Sequence, residues 1–461
     1  MKKIFRKFFN IKQNKELIKS GNLYKGIILV SLPLMLSNFI HTVYNLADTF
    51  WVTKISDTSF EVASVSLVFP IIMLMLTIGM GLSVSATTMI SQYIGADDKE
   101  NANKVVSQLV LVSLVLGIVM GAILYTIADP VVRLMAGSET VLIQNSIDYL
   151  RVISLQAPLF FVFMIYQSSK QGQGDTITPL FYTFIGNILN IVLDPFFILT
   201  LGMGVKGAAI ATVLAKAIFI IPIIKLFTDK SSIHVDLKYI KPQWDFMQKI
   251  IKISFPVMIA QSMSSLGFAF LNTFINSYGA TVLTAFSVGN RVTSVFMMPV
   301  MGMGGALATF VGVAVGADNI KRAKDAFKVS TVLSVSMGVL FTFLLIILRF
   351  KATAIFINPV SDAYTFALSS EYLIFVALCL VPMGIFQNLQ GVFNGSGHTK
   401  YSLFIAIGRL WAIRLPIIWY ASTMTNLGHQ IIWWAMLVSN VIIVTVGLGI
   451  YKKGKWEQKV I

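Results

Sequence analysis

Cysteine is almost missing. Cys379 is the only one in 461 residues, so no intramolecular disulfide can form, and its place in an apolar run makes it a small buried hydrophobe rather than a redox centre. Histidine is nearly as scarce: His41, His234, His398 and His429 are scattered without metal-ligand spacing. No two glycines followed by Lys and Ser or Thr form a phosphate loop, and no serine sits in a nucleophile-elbow context. The chain therefore reads as a non-enzyme with no cofactor. Charge is sparse too. Only 12% of residues are charged and 56% are hydrophobic, against a charged fraction of about 25% in soluble proteins, and the mean hydropathy is +0.79.

What is present is a series of long apolar runs. Uncharged stretches of about 20 residues can each cross roughly 30 Å of hydrocarbon as a helix, whereas barrel strands would be about 10 residues long with alternating polarity. The predicted fold is an all-α integral membrane protein. Spans are expected near 26–52, 62–94, 104–128, 146–169, 178–201 and 206–228, and again near 250–276, 282–315, 327–350, 369–393, 401–423 and 429–451. The first is too long for a signal-peptide core and has no small-residue cleavage site behind it, so it is read as retained.

The second set of six restates the first about 220 residues later. Ser31, Leu32, Pro33 open a stretch that closes at Gly95, Ala96, Asp97, and Ser254, Phe255, Pro256 open one that closes at Gly316, Ala317, Asp318. Tyr149 and Leu150 answer Tyr372 and Leu373, Pro158 answers Pro382, and Gly172, Gly174, Thr176 answer Gly395, Gly397, Thr399. Six spans return the chain to its starting side, so the repeat is parallel, the build of a secondary transporter with its substrate site between the halves. The expected organisation is a basic cytoplasmic arm at 1–25, an N-lobe at 26–228, a cytoplasmic linker at 229–248, a C-lobe at 249–451 and a cytoplasmic tail at 452–461. After the second span, Gly95 is expected to end the helix and Asp97 to cap the next, with Glu100 completing a capping box.

Placing both termini inside puts nearly all bases on the cytoplasmic side: the arm (Lys2, Lys3, Arg6, Lys7, Lys12, Lys15, Lys19, Lys25), the linker and the tail. Lys54, Arg133, Arg151, Lys206, Arg349 and Lys351 remain outside. This positive-inside bias sets a multi-pass plasma-membrane topology. It also accounts for the net charge of +16 with the lipid bilayer as partner and no nucleic acid. The chain is taken as a monomer.

An intramembrane acid is a functional candidate by default, because an ionised group there costs several kcal/mol. Two stand out. Asp48 lies roughly 9 Å inside Lys54 at about 1.5 Å per residue, and Asp194 lies at similar depth in span 5. Asn187, Asn190 and Asp194 share one helical face. Pro195 frees the carbonyl of Ile191, and Thr212 of span 6 falls at the same level. Two acids, two amides, a hydroxyl and a loose carbonyl suit a proton or a hard monovalent cation such as Na+ at Asp48 and Asp194, with no other metal site. The repeat places Asn272 opposite Asp48, and Trp411 and Leu415 opposite Asn190 and Asp194, so the second lobe lacks the acids. It carries Arg291, Arg409 and Arg414 instead, with Lys216 embedded in span 6. Gly302 to Gly305 read as a close-packing helix surface.

Together the twofold repeat, the Ser-Leu-Pro opening, the Gly95-Ala96-Asp97 turn with its echo at 316–318, and Asn190, Asp194 and Pro195 resemble the multidrug and toxic compound extrusion (MATE) family over residues 20 to 450. The resemblance implies two six-helix bundles in a V, and antiport of amphipathic, often cationic organic compounds against H+ or Na+ by alternating access. It implies a first-lobe cation site at Asp48, Asn190, Asp194 and Thr212. Acids that some branches carry in spans 7 and 10 are replaced here by Gln261, Ser264, Asn272, Gln387 and Asn388. Gln261, Asn272, Arg291, Gln387 and Arg414 are the expected substrate-chamber residues. The rival reading is a flippase of the same superfamily for a lipid-linked saccharide or other anionic amphiphile, with Arg291, Arg409 and Arg414 lining the chamber.

Overall fold

The computed structural model describes residues 16–53, 55, 60–137, 139–424 and 428–461. Most of the basic arm and Lys54 lie outside them. In hydrocarbon every backbone polar group must be satisfied within the segment, and the regular structure among the described residues is helical throughout. The first six spans are Leu23–Val52, Phe60–Gly95, Lys99–Ala136, the pair Thr140–Ser154 and Ala157–Gly172, Ile177–Pro195 with a π-helical extension Phe196–Thr200, and Gly204–Lys216 running through Ala217–Phe219 into Ile220–Thr228. The second six are Trp244–Ser277, Ala280–Gly316, Ile320–Ala354, Ala363–Gly395, Thr399–Ile407 running through the π-helix Gly408–Arg414 into Leu415–Met424, and Gln430–Lys452. Among the described residues eleven helices are long and apolar enough to cross a membrane singly, and the bent pair makes a twelfth.

Span 4 departs from the single helix expected at 146–169. It begins at Thr140 and bends by 50° between Ser154 and Ala157. Pro158 stands in the first turn of the second segment, where its missing N–H costs nothing and its ring would collide with the carbonyl of a continuous helix. The turn after span 2 also differs from expectation. Asp97, not a glycine, takes the left-handed conformation with φ 57°, as does Asp318 with φ 55°. The amides of Asp98 and Asp97 close on Tyr93 and Ile94, and those of Asn319 and Asp318 on Ala314 and Val315, which is a Schellman ending. The cap of the next helix is therefore Asp98, accepting from the Asn101 amide at 3.0 Å, and Asn319, accepting from the Arg322 amide at 3.0 Å. Aspartate tolerates the left-handed region better than most residues, so the cap moves one position on.

The described chain forms two compact units, one of Leu36–Ser254 and the other of Glu16–Met35 with Phe255–Ile461. Each boundary falls inside a long helix beside a proline, Pro33 or Pro256. In the second unit, Arg322 donates to the carbonyls of Leu17, Ile18 and Gly21 at 2.6, 3.0 and 3.0 Å, satisfying the open C-terminal end of the turn at residues 16–19. The tail is docked as well: Trp456 is fully buried, Glu457 pairs with Lys324 at 2.8 Å and Lys459 with Asp318 at 2.5 Å.

In the first unit the polar segment after span 6 is fastened to the N-terminal end of span 3. Asn103 accepts from the His234 amide at 3.1 Å and Ser107 from the Asp236 amide at 3.0 Å. Gln108 donates to the carbonyls of Tyr239 and Lys241 and accepts from the Gln243 amide at 3.0 Å. Hydrogen bonds from Ser231 hold the Asp229 carboxyl below the usual carboxylate range. Gln108→Leu would free three part-buried backbone groups that water can reach, so the loss is local to the segment. The expected outcome is faster trypsin cleavage after the exposed Lys238 with little change in overall melting; an unchanged digestion rate would show that Gln108 does not hold the segment.

Candidate functional site

The site grows out of span 5. Ile177–Pro195 is apolar except for one face, and Asn190 and Asp194 on that face are 2% and 0% exposed. One helical turn separates them, so the Asn190 Nδ2 donates to Asp194 Oδ1 at 3.0 Å. The second proton on the same nitrogen goes to Thr212 Oγ1 of span 6 at 3.3 Å, and Thr212 is 4% exposed. Pro195 has no N–H to return to the Ile191 carbonyl. Beyond it the helix widens into the π turn, closing with the Leu201 amide on the Phe196 carbonyl at 2.9 Å. Gly207 lets span 6 come against that turn: a Cβ there would stand 2.6 Å from the Phe197 oxygen.

Asp48, half-buried in span 1, completes the group electrostatically, since its charge acts on Asp194. Asn187 lies one turn before Asn190 and is half-buried. Four polar atoms of this set are buried without a hydrogen-bond partner: Asp48 Oδ1, Asn187 Nδ2, Asn190 Oδ1 and Asp194 Oδ2. Three of them are oxygens. Buried polar atoms are paired in the great majority of cases, so such a concentration makes this group the candidate site for a ligand. Oxygens and no thiols or imidazoles are the donors suited to a proton or a hard cation.

Three neighbours were not singled out as site residues by sequence reasoning. Tyr44 neighbours Thr212 and Asp48. Tyr149, 7% exposed, feels the charges of Asp48 and Asp194. Lys216 feels the charge of Asp48 and stands 5.6 Å from the Phe160 ring centroid, so it points inward rather than snorkelling to the interface. Helical spacing carried a usable signal for two of them: Tyr44 precedes Asp48 by four residues and Lys216 follows Thr212 by four, each one turn along the same face.

The second-lobe candidates do not form such a group. Asn272 and Arg291 are exposed, and Gln261 and Gln387 are half-buried. Arg414 is 2% exposed and packed against span 12, donating to Ser439 Oγ and Asn440 Oδ1 at 3.0 Å each. Among the described residues no hydrogen bond joins any two of these five. Asn388, which replaces a possible acid, is fully buried and bonded to Ser330 and Ser334 at 2.9 and 3.1 Å. It ties span 10 to span 9.

Comparison with known proteins agrees with this architecture. The family profile described as MatE matches twice, at residues 33–196 and 256–420. The chain is similar to the probable multidrug resistance protein YoeA of Bacillus subtilis, with 25% identity over 89% of this chain and 90% of that protein. It is similar to the probable multidrug resistance protein NorM of Thermotoga maritima, with 25% identity over 95% and 94%. Among solved structures, that of MATE in complex with MaL6 superposes with a TM-score of 0.90 at 25% identity, covering 96% of this chain and 98% of the other. With its twice-repeated profile, its eleven apolar helices and bent pair among the described residues, and these relatives over nearly its whole length, the chain belongs to the MatE family, a family of membrane transporters rather than enzymes.

Proposed function

We propose that the protein is a secondary active antiporter that exports amphipathic, often cationic, organic compounds in exchange for H+ or Na+ by alternating access. Asp48, Asn190, Asp194 and Thr212 form the coupling site, with Asn187 beside it. The observation that carries this reading is the cluster of unpartnered buried oxygens on Asp48, Asn190 and Asp194. An entering proton or sodium ion satisfies them, and the packing of spans 1, 5 and 6 that holds them together is stabilised by its differential affinity for that state. The π turn after Pro195 is the element able to change, since such turns mark places where a helix can shift register. Both termini lie in the cytoplasm, with residues 229–248 as the lobe-to-lobe linker there.

The test is export of a cationic dye from proteoliposomes under an imposed pH gradient, with a sodium gradient applied separately. Flux driven by one ion names the coupling ion. A folded protein that moves dye under neither gradient is not this antiporter.

A further inference from the structure

The second lobe buries two guanidinium groups with no acid to balance them. Arg409 and Arg414 are 8% and 2% exposed, and among the described residues neither belongs to any ion pair. Arg414 acts on Arg409 more strongly than Cys379, which opposes it, and among the described residues no carboxylate does. Arg414 at least is hydrogen-bonded, to Ser439 and Asn440. Arg409 is not so provided: its Nε is buried without a partner, one Nη meets only the Met383 sulfur at 3.0 Å, and its plane lies 4.6 Å from the Phe386 ring centroid. A buried charge left with weak partners is costly. A sulfur and an aromatic face hold the guanidinium in place without neutralising it.

A second observation concerns the backbone. Both arginines lie in the π-helix Gly408–Arg414 of span 11. Span 5 carries a π turn as well, Phe196–Thr200, which follows Pro195, although the repeat sets Gly408–Arg414 opposite residues 187–193 rather than opposite that turn. Each half thus carries a π irregularity in its fifth span, with Asp194 just before it in the first and both arginines within it in the second. Irregular helix of this kind is frequent at functional sites.

We infer that Arg409, supported by Arg414, forms an anion-accepting subsite in the second lobe that takes the phosphate or carboxylate group of an aromatic or otherwise amphipathic compound. Guanidinium offers planar paired donors to such an oxyanion, and Phe386 supplies the apolar surface beside it. The subsite extends the transport reading by admitting substrates that carry an anionic group, yet its binding test needs no ion gradient, so either idea can fail alone.

Benzyl phosphate is titrated calorimetrically into the full-length protein in nanodiscs of purely zwitterionic lipid. Wild type is expected to bind it and to melt higher in its presence. Arg409→Met should weaken binding about ten- to a hundredfold, the scale of one lost charged hydrogen bond, and Arg409→Lys should retain part of it. Without ligand, R409M should melt at or above wild type, because an unbalanced charge has gone. Repeating the titration with phosphatidylglycerol in the disc separates the sources: if it displaces benzyl phosphate from wild type, the natural occupant is a lipid headgroup. The proposal is overturned if wild type binds no benzyl phosphate, if R409M binds it equally well, or if ligand-free R409M melts well below wild type, which would make Arg409 a structural tie.

Discussion

Asp48→Asn is expected to abolish ion-driven dye export, lowering the rate by about tenfold or more, while the protein stays folded. The change is isosteric and removes the charge that an entering cation would neutralise. It leaves intact the Asn190 bonds to Asp194 and Thr212, at 3.0 and 3.3 Å, which are the direct hydrogen bonds of the site. Asp48 Oδ1 has no partner to lose, and an amide is less costly to bury than a carboxylate. The charge of Asp48 also acts on Lys216, so stability should hold or fall modestly while coupling is lost. Proteoliposome flux beside a melting curve separates the two quantities. Wild-type flux in the variant would remove Asp48 from the mechanism, and unfolding would assign it a structural role. Asp194→Asn should also stop export but with a small loss of stability, because the bond from Asn190 to Oδ1 would then end on a neutral amide oxygen rather than a carboxylate.

Gly391→Val is expected to prevent the second unit from folding. Spans 8 and 10 meet backbone to backbone there: a Cβ at Gly391 would stand 2.5 Å from the Gly304 oxygen, and one at Gly304 would stand 2.8 Å from the Gln387 oxygen. Both obstacles are main chain in long helices, so relief requires the helices to part. Overpacking of a core commonly costs 1–3 kcal/mol, and a backbone collision that separates two membrane helices should exceed about 3 kcal/mol. The measure is the yield of monodisperse protein after detergent extraction and its melting temperature. A normal yield melting like wild type would show that the contact yields easily.

Both effects trace to features visible to different degrees in the chain. Asp48 and Asp194 were legible because charge in an apolar run is rare and costly, and because the 187, 190, 194 spacing defines a helical face without any tertiary information. Gly302 to Gly305 were legible as a packing surface, but not their partner, since nothing in a run of small residues says which helix comes against it. Arg414 was expected in the substrate chamber on its charge alone. Its burial against Ser439 and Asn440 depends on how span 11 turns through its π-helix, and one extra residue in a helical turn rotates every later side chain.

The amino-acid sequence by itself determined the membrane-spanning helical class, the twofold repeat and the acids of the first lobe, because the hydrocarbon thickness and the price of buried charge act on composition and spacing within single segments. Only the tertiary structure decided that the Asn190 amide is shared between Asp194 and Thr212, that Lys216 lies against the Phe160 ring, that span 4 breaks before Pro158, and that two arginines lie buried without a counter-charge. Those are outcomes of which faces meet across elements far apart in the chain. Helical periodicity defines each face but carries no record of its neighbour.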